Sequence, residues 1–213
     1  MMSTGPDAIL DVAEGIFAES GFAGAKMKSV ATEARVSLST LYGAYGDKMR
    51  LYRAVHARRL ADLMGEIRAL PVPDDVVGGM LAGMRVYVRF HMEHPNYLRM
   101  HLREGMAWSG SDELLSPEQV EAWTRGVERM ARAFERGMSA GVFVREDPVL
   151  CARTVNAMHQ VALSHWVDGG MAEAPRELCA RLARQFVRAF CLPSEVPKLL
   201  ESLEREDVER ESA

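Results

Sequence analysis

Between Ser37 and Gly43 the chain sets out side chains suited to touching a nucleic acid. Ser37, Ser39 and Thr40 offer hydroxyls that bond base edges or phosphate oxygens, Leu38 can meet a thymine methyl, and Tyr42 can reach the sugar–phosphate backbone. Gly43 has no side chain, which lets DNA approach closely there. No Arg, Asn or Gln shares this face to make a bidentate base contact, so specificity must owe something to DNA shape and to contacts elsewhere. Lys26, Lys28 and Lys48 flank the stretch at or near helix starts, where backbone N–H groups also favour an anion, and are candidate phosphate contacts. Arg35 either reaches a phosphate or lies in solvent.

Two short helices must hold these groups. Met27, Val30, Ala31 and Ala34 recur at i, i+3, i+4 and i+7, one apolar stripe of a helix. Arg35 and Val36 make the turn, and Ser37 is placed to cap the next helix by accepting a backbone N–H bond. At about 100° per residue, Leu41 and Tyr45 face inward while Ser39, Tyr42 and Gly43 face outward, with Leu38 and Thr40 at the edges. A tight helix pair with such an outward face fits a helix-turn-helix, whose second helix enters a major groove.

The run from Ile9 to Leu51 resembles the DNA-binding domain of the TetR (tetracycline-repressor-like) family of bacterial transcriptional regulators. The matching elements are A-x-x-x-F-x-x-x-G-F from Ala13 to Phe22, V-A-x-x-A from Val30 to Ala34 and V-S-x-x-T-L-Y from Val36 to Tyr42, completed by Tyr45 and Lys48. It departs from the pattern where Ala25 replaces the usual capping Thr, Arg35 the usual turn Gly and Ala44 the usual His.

Composition sets the bounds. The 213 residues allow one large or two small domains, with the 48% hydrophobic and 26% charged fractions of an ordinary soluble protein. No apolar run approaches the roughly 18 residues of a membrane span, and the N-terminus lacks a signal peptide's basic and apolar regions. Cys151, Cys179 and Cys191 are odd in number and far apart, which fits a reducing cytoplasm better than a disulfide framework. Net charge is −4, yet Phe22 to Arg59 carries eight Lys or Arg against two acids, a local excess of +6. A basic patch on an acidic chain suits a protein whose remaining surface should avoid a polyanion.

Elsewhere the pattern is helical throughout, with Pro or a cap opening each segment and no sustained period-two alternation. A first helix ends at Gly21, and a longer one runs from about Lys48 to Leu70. Further helices are expected from Asp74 to His94, from Pro95 to near Trp108, from Ser116 to about Ala140, from Asp147 to about Val167 and from Pro175 to about Cys191. The expected division is a helix-turn-helix domain over 1–60, a helical ligand-binding and dimerisation domain over 61–192, and a charged tail over 193–213 that frays after a short helix.

The resemblance implies a ligand cavity within the helical body. Adaptable and aromatic residues there make Tyr87, His91, Met100, Met106, Trp108, Met130, Phe134, Met158 and Trp166 candidate lining residues, although the same types would equally build a plain core. The resemblance also implies a homodimer formed by the last two helices. Leu178, Leu182, Phe186 and Phe190 repeat every four residues, and Val155, Met158, Ala162 and Trp166 follow a similar rhythm on the helix before, so these stripes are the expected interface. A twofold dimer would let two short recognition helices read a palindromic operator.

Chemistry of other kinds has little support. His91 with His94, and His101 with Glu104, stand three apart on successive helices, but Pro95 separates the pairs and no metal site is expected. No nucleophile motif or Gly-rich phosphate loop is present, Cys151 and His159 lie two turns apart on one helix, and neither an enzyme nor a cofactor is expected. The sequence therefore points to an all-α regulator that binds double-stranded DNA, a small-molecule effector and a second copy of itself. Two alternatives stay open: a small-molecule-binding protein whose DNA domain no longer functions, and an enzyme with a metal or thiol centre.

Overall fold

The computed structural model describes residues 6–71, 75–103, 114 and 116–211. Among them are ten α-helices and no strand. The helices are α1 (Pro6–Gly24), α2 (Met27–Glu33), α3 (Leu38–Tyr45), α4 (Lys48–Ala69), α5 (Val76–Glu93), α6 (Pro95–Arg103), α7 (Pro117–Ser139), α8 (Pro148–Asp168), α9 (Pro175–Phe190) and α10 (Val196–Glu211). Their contacts form two compact units, Met1–Glu66 with Glu93–Ala122, and Ile67–Met92 with Trp123–Ala213.

The first unit is built on the inward stripes of α1 to α4. Ala13, Phe17, Val30, Leu41, Leu51, Tyr52 and Val55 are buried together, and Tyr52 meets Phe17 edge-on at 5.0 Å. Gly21 leaves the helical conformation at φ 68°, ψ 171°, which turns the end of α1 toward α2. A division of the chain into consecutive pieces at residue 60 leaves out α6, which packs along α1 and buries Met100 in this core. Arg103 Nη1 donates to the Glu19 carbonyl at 2.7 Å, and Arg53 Nε to that of Leu114 at 3.1 Å. A buried carboxylate ties α4 to α1: Glu14 accepts from Arg59 Nε at 2.7 Å and from Arg58 Nη2 at 3.3 Å.

The second unit packs α5 and α7 to α10. Phe134, Phe143, Phe186 and Phe190 form an aromatic cluster with ring centroids 5.1 Å apart for Phe134–Phe143 and 5.2 Å for Phe186–Phe190. Phe143 lies against Gly137 on α7, where any Cβ would collide with its ring. Backbone bonds from Val144 N–H to Phe190 O and from Leu192 N–H to Val142 O, both 2.9 Å, fix that segment beside the end of α9.

Two expectations need correction here. The acidic end does not fray after a short helix: α10 runs for sixteen residues, packs on α9, and pairs Glu206 with Arg85 at 3.1 Å. Its apolar positions Val196, Leu199, Leu200 and Leu203 stand at i, i+3, i+4 and i+7, a stripe that the surrounding charge conceals. The expected dimer stripes are the second case. Val155, Ala162, Leu178, Leu182, Phe186 and Phe190 are all buried within the single chain, so they are core of this unit and present little surface to a partner. Four-residue repetition marks the face that packs and says nothing about which chain it packs against. The outward face of α8 carries instead Val149, Leu150 and Val161, exposed by 45%, 53% and 65%.

Candidate nucleic-acid interface

The turn between α2 and α3 is a complete helix stop followed by a helix start. Arg35 N–H reaches Thr32 O at 3.2 Å and Val36 N–H reaches Ala31 O at 3.0 Å, the two bonds of a Schellman ending. Arg35 occupies the left-handed position of that motif at φ 57°. Ser37 then caps α3, its Oγ accepting from Thr40 N–H at 2.9 Å, and lies 2.8 Å from Ser39 Oγ and 2.7 Å from Thr40 Oγ1. The hydroxyls of Ser37, Ser39 and Thr40 thus form one bonded group at the start of α3, and all three side chains are exposed.

Leu41 is fully buried and holds α3 down, while Tyr45 is half-buried, its phenol pushed above its ordinary value chiefly by that burial. The opposite face is open. Leu38 and Tyr42 are 41% and 46% exposed, the only large apolar or aromatic side chains of the first unit that stand out so far among the described residues. Gly43 has nothing within 4 Å of where a Cβ would lie, so a surface can approach the helix backbone there. An apolar and an aromatic side chain beside hydroxyls, with Lys26 and Lys28 exposed around α2, form a face that can meet both base edges and phosphates.

Lys48 is placed differently from the other two lysines. Its Nζ donates to Ala23 O at 3.2 Å and Ala25 O at 3.1 Å and lies 4.7 Å from the centre of the Phe22 ring. It fastens the link between α1 and α2, where Lys26 caps α2 without any side-chain bond.

The candidate ligand residues separate. Tyr87 and His91 come together on α5, rings 4.3 Å apart, with His91 Nδ1 2.8 Å from the Tyr87 carbonyl oxygen. They are joined by His159 of α8, which stacks on Tyr87 at 5.2 Å and whose Nε2 is buried without a hydrogen-bond partner. Burial, with a smaller contribution from His91, lowers the His159 pKa to about 3, and burial raises the Tyr87 phenol well above its ordinary range, so both are neutral at pH 7. His159 is not among the lining residues expected from sequence, although a histidine within the apolar stripe of α8 was the available signal. Phe134 belongs to the aromatic cluster, Met100 to the core of the first unit, and Trp166 bonds Glu173 O through Nε1 at 2.9 Å. Met130 and Met158 are half-buried on α7 and α8, while Met106 and Trp108 lie outside the described residues.

Among the described residues no three His, Cys, Asp or Glu converge as metal ligands, and no helix is long and apolar enough to cross a membrane. The three thiols are buried, and burial raises Cys179 and Cys191 to about 11, which keeps them protonated and poorly nucleophilic.

Comparison with known proteins agrees with this geometry. Residues 9–55 match the family model described as bacterial regulatory proteins, tetR family. An HTH-type transcriptional repressor of Streptomyces coelicolor is 31% identical over 130 residues, covering 61% of this chain and 65% of that protein. The chain thus spans just under two thirds of that relative's length. Among solved structures, the fatty acid degradation regulator FadR of Bacillus halodurans superposes with TM-score 0.71 at 16% identity, covering 87% of this chain and 97% of that one. The TetR family transcriptional regulator PfmR of Thermus thermophilus gives TM-score 0.69 at 21% identity, covering 84% and 97%. At these identities the structural likeness establishes the fold.

Proposed function

We propose, from the match of residues 9–55 to the tetR family of bacterial regulatory proteins, that this protein is a cytoplasmic, sequence-specific transcriptional repressor. It binds a palindromic operator as a homodimer and is released by a small, largely apolar ligand. The observation that carries the reading is the outward face of α3, where Leu38, Tyr42 and open Gly43 stand beside the bonded hydroxyls of Ser37, Ser39 and Thr40. Such a face has no use in the core and matches what the major groove offers. Base-edge contact falls to Leu38, Ser39 and Thr40, backbone contact to Tyr42, Lys26 and Lys28.

A second copy packs against the outward face of α8. Leu150, Thr154, Ala157 and Val161 recur at i, i+4, i+7 and i+11, an apolar and small-residue seam on one side of that helix. The effector binds in the second unit near Tyr87, His91 and His159, where aromatic rings surround a buried, unbonded imidazole nitrogen. It acts by binding the DNA-free arrangement more tightly, and a hundredfold difference corresponds to about 2.7 kcal/mol.

Selection of bound duplexes from a random library tests the reading. A consensus with twofold symmetry supports it, and enrichment without symmetry or sequence preference would overturn it.

A further inference from the structure

At the end of α2 the chain uses arginine where the backbone asks for glycine. The bonds from Arg35 N–H to Thr32 O and from Val36 N–H to Ala31 O require the residue between them to be left-handed, and Arg35 is held there at φ 57°. A Cβ in that conformation crowds the following carbonyl, which is why glycine dominates this position. Nothing among the described residues compensates: the Arg35 side chain is exposed, and no carboxylate or carbonyl there bonds it, although Glu33 is two residues away. A strained residue that its surroundings do not reward is a sign of use elsewhere.

We propose that Arg35 is a positioning residue that grips a DNA phosphate at the groove edge and so sets the entry of α3. Its place in the turn supports this. It lies two residues before Ser37, the cap of α3, and three before exposed Leu38, so an exposed cation stands in the turn that leads into the helix carrying the base-reading face. In a helix-turn-helix, the leading end is where the recognition helix contacts the DNA, and the major groove is about 12 Å wide between its phosphate walls. Lys48, a neighbouring cation, is tied to the carbonyls of Ala23 and Ala25, which leaves Arg35 as a cation that can reach outward beside α3. Gripping a phosphate needs no base identity, so Arg35 strengthens binding to every sequence and fixes the register in which Leu38 to Gly43 face the bases.

The inference rests on the DNA-binding reading, and Arg35→Gly separates the two. The probe is a random-sequence 30-base-pair duplex labelled for fluorescence anisotropy, titrated with the full chain at several salt concentrations. Wild-type affinity falls linearly in log–log form, and Arg35→Gly lowers the magnitude of that slope by about 0.9, which at 0.15 M salt weakens binding about fivefold. The same variant melts about 1–4 °C higher, because glycine relieves the left-handed strain. Arg205→Gln removes one exposed charge from α10 and leaves the slope unchanged. A slope unaltered in Arg35→Gly, or reduced equally in Arg205→Gln, overturns the phosphate contact, and an unraised Tm overturns the strain behind it. A wild-type chain with no salt-dependent affinity would overturn the regulatory reading itself.

Discussion

Replacing Glu14 by Gln should loosen the first unit far more than its single lost charge suggests. The Glu14 carboxylate is 5% exposed and accepts from Arg59 Nε at 2.7 Å, Arg59 Nη2 at 3.3 Å and Arg58 Nη2 at 3.3 Å. Gln keeps the shape but offers one neutral acceptor and turns an amide N–H₂ toward guanidinium donors. Hydrogen bonds to a charged group contribute about 1.5–3 kcal/mol and neutral ones about 0.5–1.5, and two guanidinium groups less than one fifth exposed lose their shared counter-charge. Arg58 retains Asp11 at 2.7 Å, which limits the loss. The net cost is about 2–4 kcal/mol, confined to the α1–α4 contact. Native-state hydrogen exchange of peptides from α1 and α4 reads it directly. The comparison is Asp11→Asn, which touches the same arginine from a side chain 64% exposed and should cost under about 1 kcal/mol. If Glu14→Gln costs under about 0.5 kcal/mol, or no more than Asp11→Asn, burial does not govern this network and the reasoning fails.

Two further outcomes follow from the same structure. Burial depresses His56 to about 4 and His159 to about 3, against about 6.5 unfolded, so the unfolded chain takes up protons first as pH falls. Stability should therefore be flat between about pH 6.5 and pH 8 and decline below that by about 1.4 kcal/mol per pH unit for each histidine, down to about pH 4 for His56 and pH 3 for His159. Urea unfolding at pH 7 and pH 5 checks this, and a His56→Phe variant that declines just as steeply in the first unit would refute the assignment. Val161→Asp, at a side chain 65% exposed in the single chain, should leave the fold intact and sediment as a monomer; a persisting dimer would move the interface off this face of α8.

Most of what positions the recognition face was legible because it is local. The apolar stripe of α2, the Ser37 cap and the inward Leu41 are short-range rules acting over three or four residues, and Asp147 caps α8 through bonds to Val149 N–H and Leu150 N–H, with Pro148 following it. What escaped was decided by partners distant in sequence. Met100 reads as a body residue until α6 lies on α1, and the bonds of the Lys48 ammonium to the carbonyls of Ala23 and Ala25 join groups more than twenty residues apart. The stripes of α8 and α9 were correctly apolar, but periodicity cannot tell a core within one chain from a seam between two. Arg35 carried its signal as an absence, since a helix stop without glycine predicts strain only once the left-handed turn is known to form.

The central claim is that the face bearing Leu38, Tyr42 and Gly43 reads DNA, and Tyr42→Ala tests it most directly. Tyr42 is 46% exposed, so its removal should leave the first unit folded. Affinity of wild type and variant for a duplex taken from the library consensus, measured at one salt concentration with the fold checked by circular dichroism, should differ by about 1–3 kcal/mol in favour of the wild type. An unchanged affinity in a folded variant would contradict the account.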